Sequence, residues 1–264
     1  MGSETVLVPG LVEKLLWTFV TAAQVVLLLR LWMSGLWKTY RFFFALLALN
    51  ICQAGVLASI KPGTNLYAWI YMGFVPLTSV CILLAILEIY HLILKDYAGI
   101  GTLSRWVITG GLTISFTIAV LTLYPDLGSA TEQFPLLLSM FVVQRAVYSA
   151  FLLFLLFITA FLVWFPVPLN RNSVLHVVVF GVYFSTEALL LLVRGAVGAD
   201  LTRLLSTLSL AMEGVCLLAW ILLLTKEGEK KPVVVGHRWR PGESEHLIAQ
   251  LDTINSSLLR AARK

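Results

Sequence analysis

Seven stretches of this chain run for 20 residues or more with almost no charge: Leu11–Met33, Arg41–Ile60, Leu66–Leu94, Leu103–Tyr124, Pro135–Phe165, Asn172–Arg194 and Leu201–Leu224. A helix needs about 20 apolar residues to cross the roughly 30 Å hydrocarbon core of a bilayer. The stretches are continuous, whereas barrel strands alternate polar and apolar residues over about 10 positions. The pattern therefore predicts an all-α, polytopic membrane bundle of seven transmembrane helices. Composition excludes the soluble alternatives. Only 12% of the residues are charged and 59% are hydrophobic, against about a quarter charged in a soluble domain.

The connections are short. Lys61-Pro62-Gly63-Thr64-Asn65 and Pro125-Asp126-Leu127-Gly128 read as turns. Asn65 and Asp200 are the expected N-caps of the third and seventh helices. Pro76 lies inside the third, where it removes a backbone hydrogen bond. The chain divides into a transmembrane domain, residues 1–225, and a tail, residues 226–264. In the tail, Lys226–Lys231 reads as solvated. Residues 244–262 follow as an amphipathic helix with Leu247, Leu251, Ile254 and Leu258 on one stripe. That stripe suits the membrane surface, a protein partner or a second copy of the chain.

Positive charge sets the expected orientation. With the N-terminus outside, the inner loops and tail hold 13 of the 19 Lys and Arg residues, the outer side holds 4, and Arg30 and Arg145 lie within spans. Basic residues favour the cytoplasmic side, so the reading is a cell-membrane protein with its N-terminus outside and its C-terminus cytoplasmic. The aromatic residues follow the same boundaries, with Trp32, Trp37 and Tyr40 near the inner one and Trp17, Tyr67 and Trp69 near the outer one. The net charge of +5 then reflects attraction to anionic lipid, and no nucleic-acid partner is expected.

Ionisable residues inside spans are the informative positions, because a charge near the bilayer centre costs at least about 2.5 kcal/mol and faces the bundle. Arg145, Glu187 and Glu213 fall at a shared depth and are expected to form one polar layer. Two carboxylates against one guanidinium leave a surplus carboxylate. Gln24, Asn50, Gln53 and Gln144 are their uncharged companions. Nearer the inner side, Glu88, His91 and His176 form a second expected cluster. Facing histidines can ligate a haem iron, and Glu88-Ile89-Tyr90-His91 is a Glu-x-x-His step. A carboxylate-bridged metal pair needs two such steps, so no metal or cofactor is expected, and haem is the one alternative. Cys52, Cys81 and Cys216 lie within spans and need no disulfide.

No catalytic constellation is present, and the last span holds no lysine for a retinal Schiff base. A shift of 135 residues lays Gly63-Thr64-Asn65-Leu66 on Gly198-Ala199-Asp200-Leu201 and the first three spans on the last three, a parallel repeat of the kind some transporters use. The functional expectation is a non-enzymatic sensor, scaffold or accessory module, with a small-solute transporter or channel using the Arg/Glu layer as the alternative. The orientation is checked with a cysteine at Asn170: an impermeant thiol reagent should leave it unlabelled in intact cells and modify it after permeabilisation. Labelling in intact cells reverses the topology.

Overall fold

In a computed structural model, residues 11–61, 64–94, 109–117, 135–164, 168–197, 201–230 and 232–234, with 249, 250 and 253, are described. The fold is all-helical. Helices α1 (Leu11–Ser34), α2 (Arg41–Ala58) and α3 (Asn65–Leu94) are followed by α4 (residues 109–117), α5 (Pro135–Trp164), α6 (Arg171–Val197) and α7 (Thr202–Leu223). Five of these contain segments long and apolar enough to cross a membrane: Leu11–Ser34, Arg41–Ala58, Asn65–Ile93, Arg171–Val193 and Arg203–Leu223. That makes the chain compatible with a multi-pass membrane protein. The described part of α5 presents a shorter apolar stretch, Val143–Phe157. The expected span Leu103–Tyr124 is represented by α4 alone.

Each long helix packs on its sequence neighbour where both are described, and α7 returns to pack along α1. The helices are apolar nearly all round, so the distinction between faces lies in what they turn inward. On α3, Leu66, Trp69, Leu77 and Val80 are exposed, while Ile82, Ile86, Ile89 and Ile93 are buried. On α1 the buried stripe is Val20, Gln24, Leu27 and Leu31, spaced by three and four residues as one helical face requires. Lipid tails are as apolar as leucine, so such helices are held together by close packing and by polar contacts between them. Gly214 provides one close approach: a Cβ at that position of α7 would stand 3.1 Å from the Phe19 ring of α1.

Two expectations about the helix ends are corrected. The cap of α3 is Thr64, whose Oγ1 accepts the backbone N–H of Tyr67 at 3.3 Å; Asn65 is already inside the helix. The N-cap position of α7 is Leu201, with no side-chain cap, and Asp200 lies outside the described residues. Helix α3 runs unbroken through Pro76, and the hydroxyls of Thr78 and Ser79 donate to the carbonyls of Phe74 and Val75 at 2.9 and 2.8 Å.

Residues 226–230 and 232–234 pack onto the bundle instead of leaving it. A 3-10 turn, Lys226–Glu229, follows α7. Strand β2 (Pro232–Val234) then pairs antiparallel with β1 (Pro168–Asn170) in the α5–α6 connection. Asn172, fully buried at the start of α6, organises the junction. Its Nδ2 donates to the Thr225 carbonyl at 2.8 Å and to Glu229 Oε1 at 2.7 Å. From the other side, Arg30 Nη2 donates to the Leu224 carbonyl at 3.1 Å, supplying positive charge at the C-terminus of α7, where the macrodipole favours it. Lys226, Glu227 and Lys230 are exposed, as their charge predicts, while Asn172, whose hydrogen bonds dock the segment, lies more than fifty residues away in sequence. The expected helix at 244–262 lies almost wholly outside the described residues; 249, 250 and 253 are helical.

Gly228 sits against Asn172 so closely that an added Cβ would overlap its side-chain oxygen. Gly228→Ala should therefore displace Asn172 and cost about 1–3 kcal/mol. The readouts are a lower melting temperature in detergent and faster proteolysis after Leu224. Unchanged melting and cleavage would show that the junction does not depend on this contact.

Candidate functional site

The inward stripes differ in character along the bundle. In the half that contains the N-terminal end of α1, they carry Gln24, Asn50, Gln53, Tyr71 and Tyr183 beside the two glutamates, Glu187 and Glu213. Together they line a cavity of about 500 Å³. Side chains of this mixture cannot close-pack as aliphatic ones do, and their polar atoms turn toward each other and toward the space between them.

Glu213 of α7 accepts a hydrogen bond from Gln24 Nε2 of α1 at 2.9 Å. Ser209, one turn earlier on α7, donates to Glu187 Oε1 of α6. The two carboxylates thus enter the cavity from adjacent helices at neighbouring levels. On the α5 side, Gln144 Nε2 donates to the Tyr148 hydroxyl at 3.0 Å, and the rings of Tyr148 and Tyr183 meet edge to face at 6.2 Å.

Toward the other end the stripes become aromatic. Phe43, Phe180 and Trp220 form the cavity floor, with centroids 4.9 Å apart for Phe43 and Trp220 and 5.0 Å for Phe180 and Trp220. Beneath them His176 is fully buried, 4.8 Å from Phe43 and 4.6 Å from the ring of Tyr40. Among the described residues, neither ring nitrogen of His176 has a hydrogen-bond partner. Tyr40, also fully buried, donates its hydroxyl to Glu229 in the docked tail. Burial, and then the Glu229 carboxylate, hold the Tyr40 phenol well above its ordinary range, so it stays a donor. Cavity, aromatic floor, His176, Tyr40 and tail form a continuous stack.

The residues singled out from the sequence fall as follows. Glu187 and Glu213 line the same cavity, along with Gln24, Asn50, Gln53 and Gln144. Arg145 follows Gln144 on α5, is half-buried, and is not among the lining residues. Glu88, His91 and His176 occupy three different settings. Glu88 Oε1 and Oε2 accept the backbone N–H groups of Arg41 and Phe42 at 2.8 and 2.9 Å, so its carboxylate caps α2. His91 is exposed at the end of α3, and His176 is in the aromatic stack. Among the described residues, no three His, Cys, Asp or Glu side chains are placed to hold a metal ion. The cysteines are free; Cys52 is exposed, and only Cys216 is fully buried.

Sequence reasoning missed the tyrosines. Tyr67 reads as a boundary aromatic and Tyr71, Tyr148 and Tyr183 as generic span residues, yet all four line the cavity. Tyr40, expected at the lipid interface, is instead inside the protein, while Trp32 and Trp69 are exposed at 60% and 63%. The signal was available in the stripe spacing: Tyr183 is four residues before Glu187, on the same helical face. No protein-family model, curated protein or solved structure matches this chain.

The capping role of Glu88 is separable from the cavity. Glu88→Ala strips acceptors from two N–H groups at the start of α2 and should cost about 1–2 kcal/mol, with Glu88→Gln recovering part of it. A melting temperature unaffected by Glu88→Ala would remove the cap from the account of the fold.

Proposed function

We propose that this protein is a non-enzymatic membrane sensor that takes a small solute into the cavity and answers through its tail. In this reading all seven stretches span the cell membrane, with the N-terminus outside and the C-terminus cytoplasmic. The cavity then opens on the outer side. Arg145 belongs to the same layer as Glu187 and Glu213 and balances one of the two carboxylates. The helix expected at 244–262 is the element that meets a protein partner, a second copy or the membrane surface.

The observation that carries the proposal is the one-sidedness of the cavity. Its size suits a small ligand, since such pockets run from about 300 to 1,000 Å³. Its polar lining is confined to one half of the bundle. The other half is filled by Phe43, Phe180 and Trp220, then by His176 and Tyr40, each 5% exposed or less. A channel needs a continuous polar path and a transporter needs a site reachable from both sides in turn. A receptor needs only a pocket and a movable element beyond it.

Sided labelling in sealed, oriented vesicles tests the reading. A cysteine at Gln53 should react with an impermeant thiol reagent added on the N-terminal side and stay unreactive to reagent on the tail side. A cysteine at Phe43 should be slow from both sides. Labelling of Gln53→Cys from both sides would replace the sensor with an alternating-access transporter.

A further inference from the structure

We infer that the cavity selects a small organic cation, an ammonium or guanidinium carried on a compact apolar body; this rests on the reading of the cavity as a ligand site. Three features of the lining point to that chemistry. The first is charge. Glu187 and Glu213 both line the cavity, and among the described residues no Lys, Arg or His does. Counting Arg145 into the layer still leaves one carboxylate in excess. The second is the walls. Tyr67, Tyr71, Tyr148 and Tyr183 with Trp17 and Trp220 surround the space, and the faces of Tyr and Trp attract cations through their ring quadrupole. Aromatic walls also give an apolar body its contact area. The third is the hydrogen-bond inventory. An ionised carboxylate offers acceptors only. Among the described residues, Gln24 donates a single hydrogen bond to Glu213, leaving acceptor capacity that an ammonium's N–H groups fill.

The energetic logic runs the same way. A carboxylate held in a medium of low dielectric loses much of its hydration. A cation entering the cavity regains part of that loss, while an anion meets repulsion from the carboxylate left in excess. Electrostatic selection is stronger in such a confined space than in water. The cost of stripping water from the incoming cation is met by the aromatic faces, which interact best with weakly hydrated organic cations.

Charge-selective thiol labelling tests this without knowing the natural ligand. The three native cysteines are replaced by alanine, and a reporter cysteine is placed at Thr21 or, in a second variant, at Ser79; both positions line the cavity on helices that carry neither glutamate. Purified protein in detergent is reacted with the trimethylammonium and the sulfonate forms of ethyl methanethiosulfonate. Each rate is divided by that of a free thiol in solution. The cationic reagent should be faster by about tenfold, a difference that the local negative potential of a confined site can supply. Glu213→Gln should cut the ratio several-fold. Tetraethylammonium should slow modification by the neutral reagent N-ethylmaleimide, whereas ethanesulfonate should not. Equal corrected rates, protection by ethanesulfonate as strong as by tetraethylammonium, or protection by neither ion would overturn the cation inference while leaving a reachable cavity. Failure of every reagent at both positions would overturn the cavity as a ligand site.

Discussion

The structure depends on one constraint: the helices are apolar on their outer faces, and the amide and carboxylate side chains Gln24, Asn50, Gln53, Gln144, Glu187 and Glu213 turn inward to the bundle. An unpaired polar group in an apolar medium costs roughly 2–7 kcal/mol, far more than any single packing contact returns. Six of the seven helices are therefore read most directly from their inner stripes. Gln24 meets Glu213, Glu187 meets Ser209, and Gln144 meets Tyr148. The first two pairs tie α1 to α7 and α6 to α7 within the layer that bounds the cavity, and the third lies within α5. Individually they are modest, since interhelical hydrogen bonds in membrane proteins stabilise by about 0.6–2 kcal/mol. Their larger effect is rotational: a helix turned by a third of a turn would carry its polar stripe toward the apolar outer surface of the bundle.

The same constraint explains where the space comes from. Aliphatic and aromatic stripes interdigitate, and in one half of the bundle Leu27, Leu31, Ile86, Ile89 and Phe43 are each 3% exposed or less. In the other half, the polar stripe brings short hydroxyl and amide side chains to the axis. Ser79, Ser206 and Thr21 are among the short side chains that line the space. A cavity is the natural product of polar inner positions on several helices at one level.

Sequence reasoning reached the architecture because twenty-residue apolar runs depend on local composition alone. It reached Glu187, Glu213 and the amide side chains for a related reason: a polar residue within such a run must turn inward, whatever it meets there. Partners were less legible. Glu88 and His91 share a Glu-x-x-His step, and three residues along a helix leave them only about 60° apart, yet packing of α2 on α3 set Glu88 on the Arg41 and Phe42 amides while His91 stayed exposed. His176 was legible as an intramembrane histidine, but its aromatic enclosure was not, since Tyr40, Phe43 and Trp220 come from segments 136 residues before it to 44 after it. The docking of Lys226–Glu229 was hidden behind its charge. Only the juxtaposition of Asn172, Tyr40 and Arg30 shows that this polar segment has internal partners.

The placement of those partners bears on how an occupied cavity could reach the tail. Helix α7 holds Glu213 at the cavity and, eleven residues on, Leu224 at the end where Arg30 and Asn172 take hold of the tail. Eleven residues of helix span about 16 Å, so the two ends belong to one rigid element. A ligand shifts an equilibrium only by the difference between its affinities for two states. The relevant states are therefore those in which α7 stands differently relative to α1 and α6. Displacing it lengthens either the Gln24–Glu213 bond at one end or the Asn172–Thr225 bond at the other, and the two cannot be optimised independently. A cation that competes with Gln24 for Glu213 relaxes the first restraint and leaves the second to set the position of α7. The tail junction is where such a change becomes visible, because its 3-10 turn directly follows α7 and is held to α6 by the hydrogen bonds of Asn172.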